Sequence, residues 1–386
     1  MKRFSILLLA LYTCALLGAW QQAQAKSNPT IIVIDPVGAG IGPFQGTQAP
    51  GINTAGAVTG FFSDSNNVMH GFVRSPAGDI KTFDAPGAGS KSVPGFLATP
   101  VGVLGGQGTY CWSINPGGAI TGFYADSDNV VHGFVRSTNG AFTTFDITGA
   151  GTGAGQGTEP TSIGPSGEIV GDVVDSSNVT HGFVGDLKNG FVVFDATGAG
   201  TNSGQGTFAG VASGITPGGV VTGWLLDTNY IFHGWIREAD GAISTFEAPG
   251  AGTAPGQGTF SWSISQDGSV TAEVVDGGGV AHTFVRDKQG NLTVFDVPGA
   301  GTGPGQGTVG EGINAAGAVA GQYVDSGGVN HGFVHDRNGN VVKFDAPGAG
   351  VSTGQGTIPL TPNPAGAIAG AYLDSSNVLH GFLLIP

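Results

Sequence analysis

DSDNVVHGFVRSTNGAFTTFD, Asp126 to Asp146, reads as a tight turn, a strand, a second turn and a second strand. Asp and Asn in the first turn and Thr-Asn-Gly in the second are residues that tolerate turn backbone, and β-branched and aromatic side chains fill the stretches between. Variants of this stretch recur down the whole chain. The marker HGF stands at His70, His132, His181, His331 and His380, with HGW at His233 and HTF at His282. The intervals are 62, 49, 52, 49, 49 and 49 residues. A period of that size belongs to one supersecondary unit repeated as an array, ring or solenoid.

Extended outward, the unit runs from Gly108 to Asp146. Thr109–Asn115 is a first strand, Pro116-Gly117-Gly118 a turn, Ala119–Ala125 a second strand and Val130–Arg136 a third. Thr138-Asn139-Gly140 then turns into a fourth strand, Ala141–Asp146. Four short strands joined by three hairpins are the cue of a propeller blade. No segment beyond residue 25 has a helical apolar period with caps. The last unit stops at Leu383-Leu384-Ile385-Pro386, before a fourth strand, and Thr30–Asp35 (TIIVID) holds the place of AFTTFD ahead of the next PxGAG. The expected fold is therefore all-β: a seven-bladed β-propeller of four-stranded antiparallel blades, closed by the N-terminal strand, which completes the last blade. A linear β-solenoid, the alternative, would call for capping repeats rather than complementary ends.

Residues 1–25 read as a signal peptide: Lys2 and Arg3, an apolar stretch from Ile6 to Trp20, and Ala23-Gln24-Ala25 as a small-x-small cleavage site before Lys26. Residues 26–386 are then one exported domain, secreted or periplasmic, with no membrane span and a single cysteine, Cys111, so no internal disulfide forms. The remaining 27 acids face 11 bases, the chain's 13 less Lys2 and Arg3. This balance excludes nucleic acid and anionic membrane as partners, because both require basic patches. It suits a glycan or another neutral or cationic ligand, and a monomer is expected.

The HGF tripeptides, the Gly-x-x-x-Asp segments before them such as Gly122–Asp126, and the FD pairs after them such as Phe145-Asp146 resemble the bacterial extracellular repeats of the HAF family, here with Gly for Ala in the middle of the tripeptide. The resemblance covers nearly all of residues 26–386. It implies export and a β-repeat fold, and no defined activity.

Most repeated polar residues have structural work. Asp64, Asp126, Asp175, Asp227, Asp276, Asp325 and Asp374 each open the second turn, with Asn, Gly or Tyr three residues on, which is turn chemistry. The seven histidines cannot converge around a ring, so each is expected to tie its own blade by bonding the FD aspartate. The GQGT glutamines (Gln107, Gln156, Gln205, Gln257, Gln306, Gln355, with FQGT at Gln45) are either inter-blade latches or repeated ligand contacts. GAGTGAGQG is no dinucleotide fingerprint, since a strand rather than a helix follows it.

Function should show where the repeat breaks. The position after the second-strand glycine reads Phe61, Phe123, Asp172, Trp224, Glu273, Gln322 and Ala371. With Ile163 paired to Glu168, Glu159 falls opposite Asp172, and like charges so placed require a bound cation, a shared proton or a nearby base. No cofactor is otherwise expected. Two carboxylates are also the equipment of glycan acid–base catalysis, which makes Glu159 and Asp172 the candidate catalytic pair. Glu273 faces Thr283, the site where HGF becomes HTF, and a Glu–Thr hydrogen bond is expected there. Glu311 lies on the first strand of blade six, where Trp112 and Trp262 hold the matching places in blades two and five. With Trp224, these are the candidate ligand-binding residues, because rings cover apolar sugar faces and carboxylates accept hydroxyl protons. An apolar insertion between Gly89 and Gln107 is expected to cover one channel mouth. The sequence thus points to an exported propeller that binds a ligand, a glycan foremost, near its axis. The alternatives are a glycan hydrolase or lyase using the carboxylate pair, or a non-catalytic surface protein-interaction module.

Overall fold

The computed structural model describes residues 29–92, 97–99, 102–104, 106–210 and 213–386. The expected signal peptide lies outside them. So do the side chains on which the channel-cover reading of the insertion rests, although the insertion's backbone forms a small hairpin, Leu97–Thr99 with Gly102–Leu104. Among the described residues there is no helix long and apolar enough to cross a membrane.

Apart from that hairpin, the strands of the described residues form one 28-stranded sheet. It divides into seven antiparallel four-stranded units, called blades below, of which Gly108–Ile114, Ile120–Ala125, Val131–Arg136 and Phe142–Phe145 form the second. Parallel bridges join the third strand of each blade to the first residue of the next, as in Met69↔Gly108 and Val131↔Gly157. The last such bridge, Leu379↔Gly46, returns to the start and closes a propeller-like ring. Thr30–Ile34 pairs antiparallel with Leu379–Ile385, from Thr30↔Ile385 to Ile34↔Gly381. The N-terminus therefore supplies the missing strand of the seventh blade, as the matching ends predict, and no linear array is formed.

The repeated residues take the roles their spacing implies. Asp126 Oδ1 accepts the N–H groups of Asp128 and Val130 at 2.8 and 2.9 Å, and Asn129 takes φ 66°. Six of the seven repeat histidines bond the carboxylate fourteen residues on, as His132 Nδ1 does Asp146 at 2.9 Å. In blade seven the partner comes from the other end of the chain, Asp35, at 2.7 Å from His380 Nδ1. The glutamine amides bond within their own blade and are not the inter-blade latches expected: Gln107 Nε2 donates to Asn129 Oδ1 at 3.0 Å and its Oε1 accepts the Lys91 N–H at 3.0 Å. The main-chain carbonyl of Gln107 makes the link to the preceding blade, accepting the N–H of Met69 at 2.9 Å. In blade four Tyr230 replaces the turn asparagine, and Gln205 Nε2 is left buried without a partner.

The glycine that opens each first strand has a steric reason to be glycine. At Gly108 (φ +123°) an added Cβ would lie 2.1 Å from the Met69 carbonyl oxygen, and the six equivalents approach the preceding blade as closely. A Gly108→Ala variant is expected to lose on the order of 3 kcal/mol of stability, from the clash and the positive φ together. Urea unfolding of the variant beside its parent measures this, and a loss under about 0.5 kcal/mol, the size of a neutral surface change, would contradict the close-approach reading.

Two features of the ring were not expected from the sequence. Six first strands carry a register shift, between Cys111 and Ser113 in blade two and between Pro160 and Ser162 in blade three. This bulge corrects the expected pairing: Ile163 faces Ile169, not Glu168. The turn is longer by one residue, and the extra residue at Thr161 restores the outer register. The second feature is an asparagine belt. Asn53 Nδ2 donates to Asn115 O, Asn115 Nδ2 to Gly164 O, Asn314 Nδ2 to Asn363 O and Asn363 Nδ2 to Asn53 O, at 3.1 to 3.2 Å. These side chains tie blade to blade where the first strands end. There, all seven blades line one central cavity of about 110 Å³, which places the first strands innermost.

Candidate functional site

The residues that vary between blades occupy three positions, counted from the opening glycine of the first strand. The third residue of that strand faces the variable second-strand residue, as Tyr110 faces Phe123, Glu159 faces Asp172 and Phe260 faces Glu273. The fifth residue is the bulged one, left out of the pairing: Trp112, Thr161, Trp262, Glu311 and Leu360. A bulge bends the strand and re-aims its extra side chain. Trp112, Trp262 and Glu311 are thus equivalent for a local reason, and across blade boundaries these positions meet, Phe61 with Trp112 and Trp224 with Trp262.

In blades seven, one and two they are filled mainly by apolar side chains, with the buried Gln48 opposite Phe61 in blade one. Phe61, Tyr110, Phe123, Ile358 and Ala371 are sealed around Trp112, which is 9% exposed, with Leu360 packed alongside. Trp112 therefore stands in a packed wedge between blades rather than with the other candidates. Blades four and five differ. Phe208, Trp224, Phe232, Phe260 and Trp262 all keep part of their surface. Phe208 stacks on Trp224 with centroids 5.6 Å apart and planes 2° from parallel, Trp224 lies 5.0 Å from Trp262, and Phe232 lies 3.8 Å from Phe260. Only Trp224 and Trp262 of this group were singled out in the sequence. The phenylalanines were legible in principle, since Phe208 and Phe260 hold the same repeat position as Glu159.

Four acids hold these repeat positions, Glu159 and Asp172 in blade three, Glu273 in blade five and Glu311 in blade six. Glu159 does oppose Asp172. Burial pushes the Glu159 carboxyl up to about 7. Asp172, 7% exposed, is raised well above its ordinary range by burial, against the pull of the Ala209 N–H, which donates to its Oδ1 at 2.7 Å from the next blade. No base relieves the pair, because the ion pairs of the described residues all join a histidine to a carboxylate other than these. Retained protons remove the like-charge repulsion. Glu273 is held up to about 7 by burial, with the nearby Trp262 indole acting against it. Glu311, 5% exposed, reaches about 8 by burial, although it accepts Gln322 Nε2 at 3.0 Å, and Glu273 adds to the rise.

The expected Glu273–Thr283 hydrogen bond is replaced by a different contact. The two residues are opposed, but Thr283 Oγ1 donates to the Thr308 carbonyl of blade six at 3.0 Å. Its methyl takes the space left by Gly310, where a Cβ would come within 2.5 Å. The change from HGF to HTF is therefore matched by glycine in the next blade, a compensation across the blade boundary.

No protein-family model matches this chain, and no curated protein matches it in sequence. Its fold has solved counterparts. The BP39L lectin from Burkholderia pseudomallei superposes with a TM-score of 0.50 at 13% identity, over 89% of this chain and 100% of that one. A prolyl endopeptidase gives 0.50 at 10% identity over 87% of this chain and 50% of that one, and TolB from Acinetobacter baumannii 0.44 at 11% over 95% and 82%. The likeness is one of fold: an all-β, propeller-like ring of repeats.

Proposed function

We propose that the chain is an exported, seven-bladed propeller of HAF-type repeats, one domain from residue 26 to 386, that binds a glycan near the ring axis across blades four to six. The observation that supports this most is the break in the wedge filling. Blades seven, one and two close their variable positions with mainly apolar side chains and the buried Gln48, whereas blades four and five leave five aromatic side chains partly accessible, with Trp262 beside Glu273 and Glu311 near that acid. Aromatic faces cover the apolar faces of sugar rings, and carboxyl groups bond hydroxyls. Trp224 and Trp262 are the stacking platform of this reading. BP39L, described as a lectin, has the same ring fold.

A second reading, hydrolysis or lyase chemistry at Glu159 and Asp172, is favoured by one observation: a carboxyl held up to about 7 can serve as a general acid at neutral pH. A glycan array on the full exported chain tests both. Binding that falls at least about tenfold in Trp224→Ala and Trp262→Ala, roughly 1.4 kcal/mol, is the expected result. Retained binding in both variants would remove the aromatic site. Glycan cleavage abolished by Glu159→Gln and Asp172→Asn in a normally folded protein would establish the second reading.

A further inference from the structure

Glu273 borders a cavity of about 440 Å³ at the ends where the first strands of blades five and six begin. Pro255 and Pro304, from two of the glutamine-bearing connections, and Val275, Val309 and Val324 supply the apolar part of its lining. The volume is in the range of small-molecule sites, roughly 300–1,000 Å³. Glu311 of the adjoining blade stands close enough to Glu273 for the two charges to interact. Gln322, 6% exposed and opposite the cavity residue Val309, gives its Nε2 to Glu311 and leaves its Oε1 without a partner. The Trp262 indole acts on Glu273, yet its enclosed Nε1 makes no hydrogen bond of good geometry.

Glu273 is the one acid among the residues that line this space, and neither it nor Glu311 behind it has a lysine or arginine partner among the described residues. A ligand ammonium supplies what is missing. Its N–H groups donate to the Glu273 carboxylate in charge-assisted bonds, and the neighbouring Glu311 is placed to add attraction as it ionises. We infer that the cavity between blades five and six binds a primary ammonium group, so that the ligand is an amine-bearing molecule about the size of one sugar ring. The sugar part rests on the glycan reading above; the amine part stands on the cavity.

Proton linkage distinguishes this from neutral binding. The titratable group facing Glu273 from the next blade is Glu311, while Phe260, Trp262 and Thr283 beside it do not ionise in this range. Both carboxyls hold protons at pH 5, so a bound ammonium must expel one, and affinity should rise about tenfold per pH unit between pH 5 and 7.

Calorimetric titration of the full exported chain at pH 6 and pH 8, in two buffers of different ionisation enthalpy, tests this. Glucosamine is compared with glucose, and cyclohexylamine with cyclohexanol. The expected result is that each amine binds at least about tenfold tighter than its uncharged partner, with proton release at pH 6, and that Glu273→Gln removes the difference. Val309→Trp, which fills the cavity from its other wall, should do the same. Binding of cyclohexylamine alone would keep the amine site and remove the sugar. Sugars that bind equally with and without the amine at both pH values would overturn the inference and leave the glycan reading standing. Loss of neither amine in Glu273→Gln would overturn it too.

Discussion

Deleting Thr30–Asp35 is expected to lower stability by on the order of 5 kcal/mol or more, or to abolish cooperative folding. Ile34 is 1% exposed in the closed ring, Ile32 packs against the same cluster, and Asp35 holds His380. Burying one such isoleucine contributes about 2 kcal/mol, and the strand's backbone bonds to Leu379–Ile385 add to it. Without the strand, Leu379–Ile385 becomes an open, largely apolar edge, which recruits other chains. A fall of about 10 °C in the unfolding midpoint, with concentration-dependent association, is the expected reading. A permuted chain that starts at Pro36 and carries TIIVID after Pro386 through a short turn should recover the loss. That strand would then follow the third strand of its blade as a hairpin, as Phe142–Phe145 follows Val131–Arg136. A truncated protein that melts within about 2 °C of its parent would refute ring closure by this strand.

Stability should be greatest near pH 5 and fall toward pH 8. Glu159, Glu273 and Glu311 are held by burial up to about 7, about 7 and about 8, from an ordinary 4.5. Above pH 4.5 the unfolded chain releases these protons while the folded chain keeps them, so each rise in pH favours unfolding until the folded value is passed. The slope is about 1.4 kcal/mol per pH unit for each acid, or about 3 kcal/mol for one acid over its window. His70, raised by its bond to Asp84, and His282, raised by Asp296 against its own burial, act in the same direction. Their contribution is complete below the unfolded value of 6.5 and is lost as pH rises through the higher folded one. The turn aspartates set the acid side. In Asp126 and Asp175, for example, burial acts upward but main-chain N–H bonds outweigh it and hold the carboxyls below 3.8. That stability is present above 3.8 and disappears as pH falls through the lower folded values. Glu311→Gln keeps an acceptor for Gln322 and removes the need for a proton. It should stabilise the protein by about 2–4 kcal/mol at pH 8 and by less than about 0.5 kcal/mol at pH 5. Denaturant unfolding at the two pH values measures this, and a parent as stable at pH 8 as at pH 5 would contradict the burial of these acids as carboxyls.

The site was half legible. The opposition of Glu159 to Asp172 follows from counting outward from a turn, although the count was right at its outer end only because a longer turn and a bulge cancel. Glu273 opposite Thr283 is likewise strand arithmetic. The partners of these residues were not legible, since they belong to the next blade: the Ala209 N–H for Asp172, the Thr308 carbonyl for Thr283, the approach of Glu273 to Glu311. Nothing in one repeat states which atoms of the following one it will meet.

The sequence by itself determined the repeating unit, its three turns, the tie from each histidine to its carboxylate and the strand that closes the ring. All are local, or repeated often enough to be read as local: turn residues act within four positions, and the side-chain alternation of a strand needs only its own pattern. The tertiary structure alone decided the bulge in the innermost strands and the fate of the wedges between blades. Trp112 and Trp262 occupy the same repeat position, yet one is enclosed by Phe61, Tyr110 and Phe123 while the other keeps part of its surface beside Trp224 and Glu273. Packing depends on the summed volume that two adjoining blades bring to one wedge, and that sum exists only when the ring has closed.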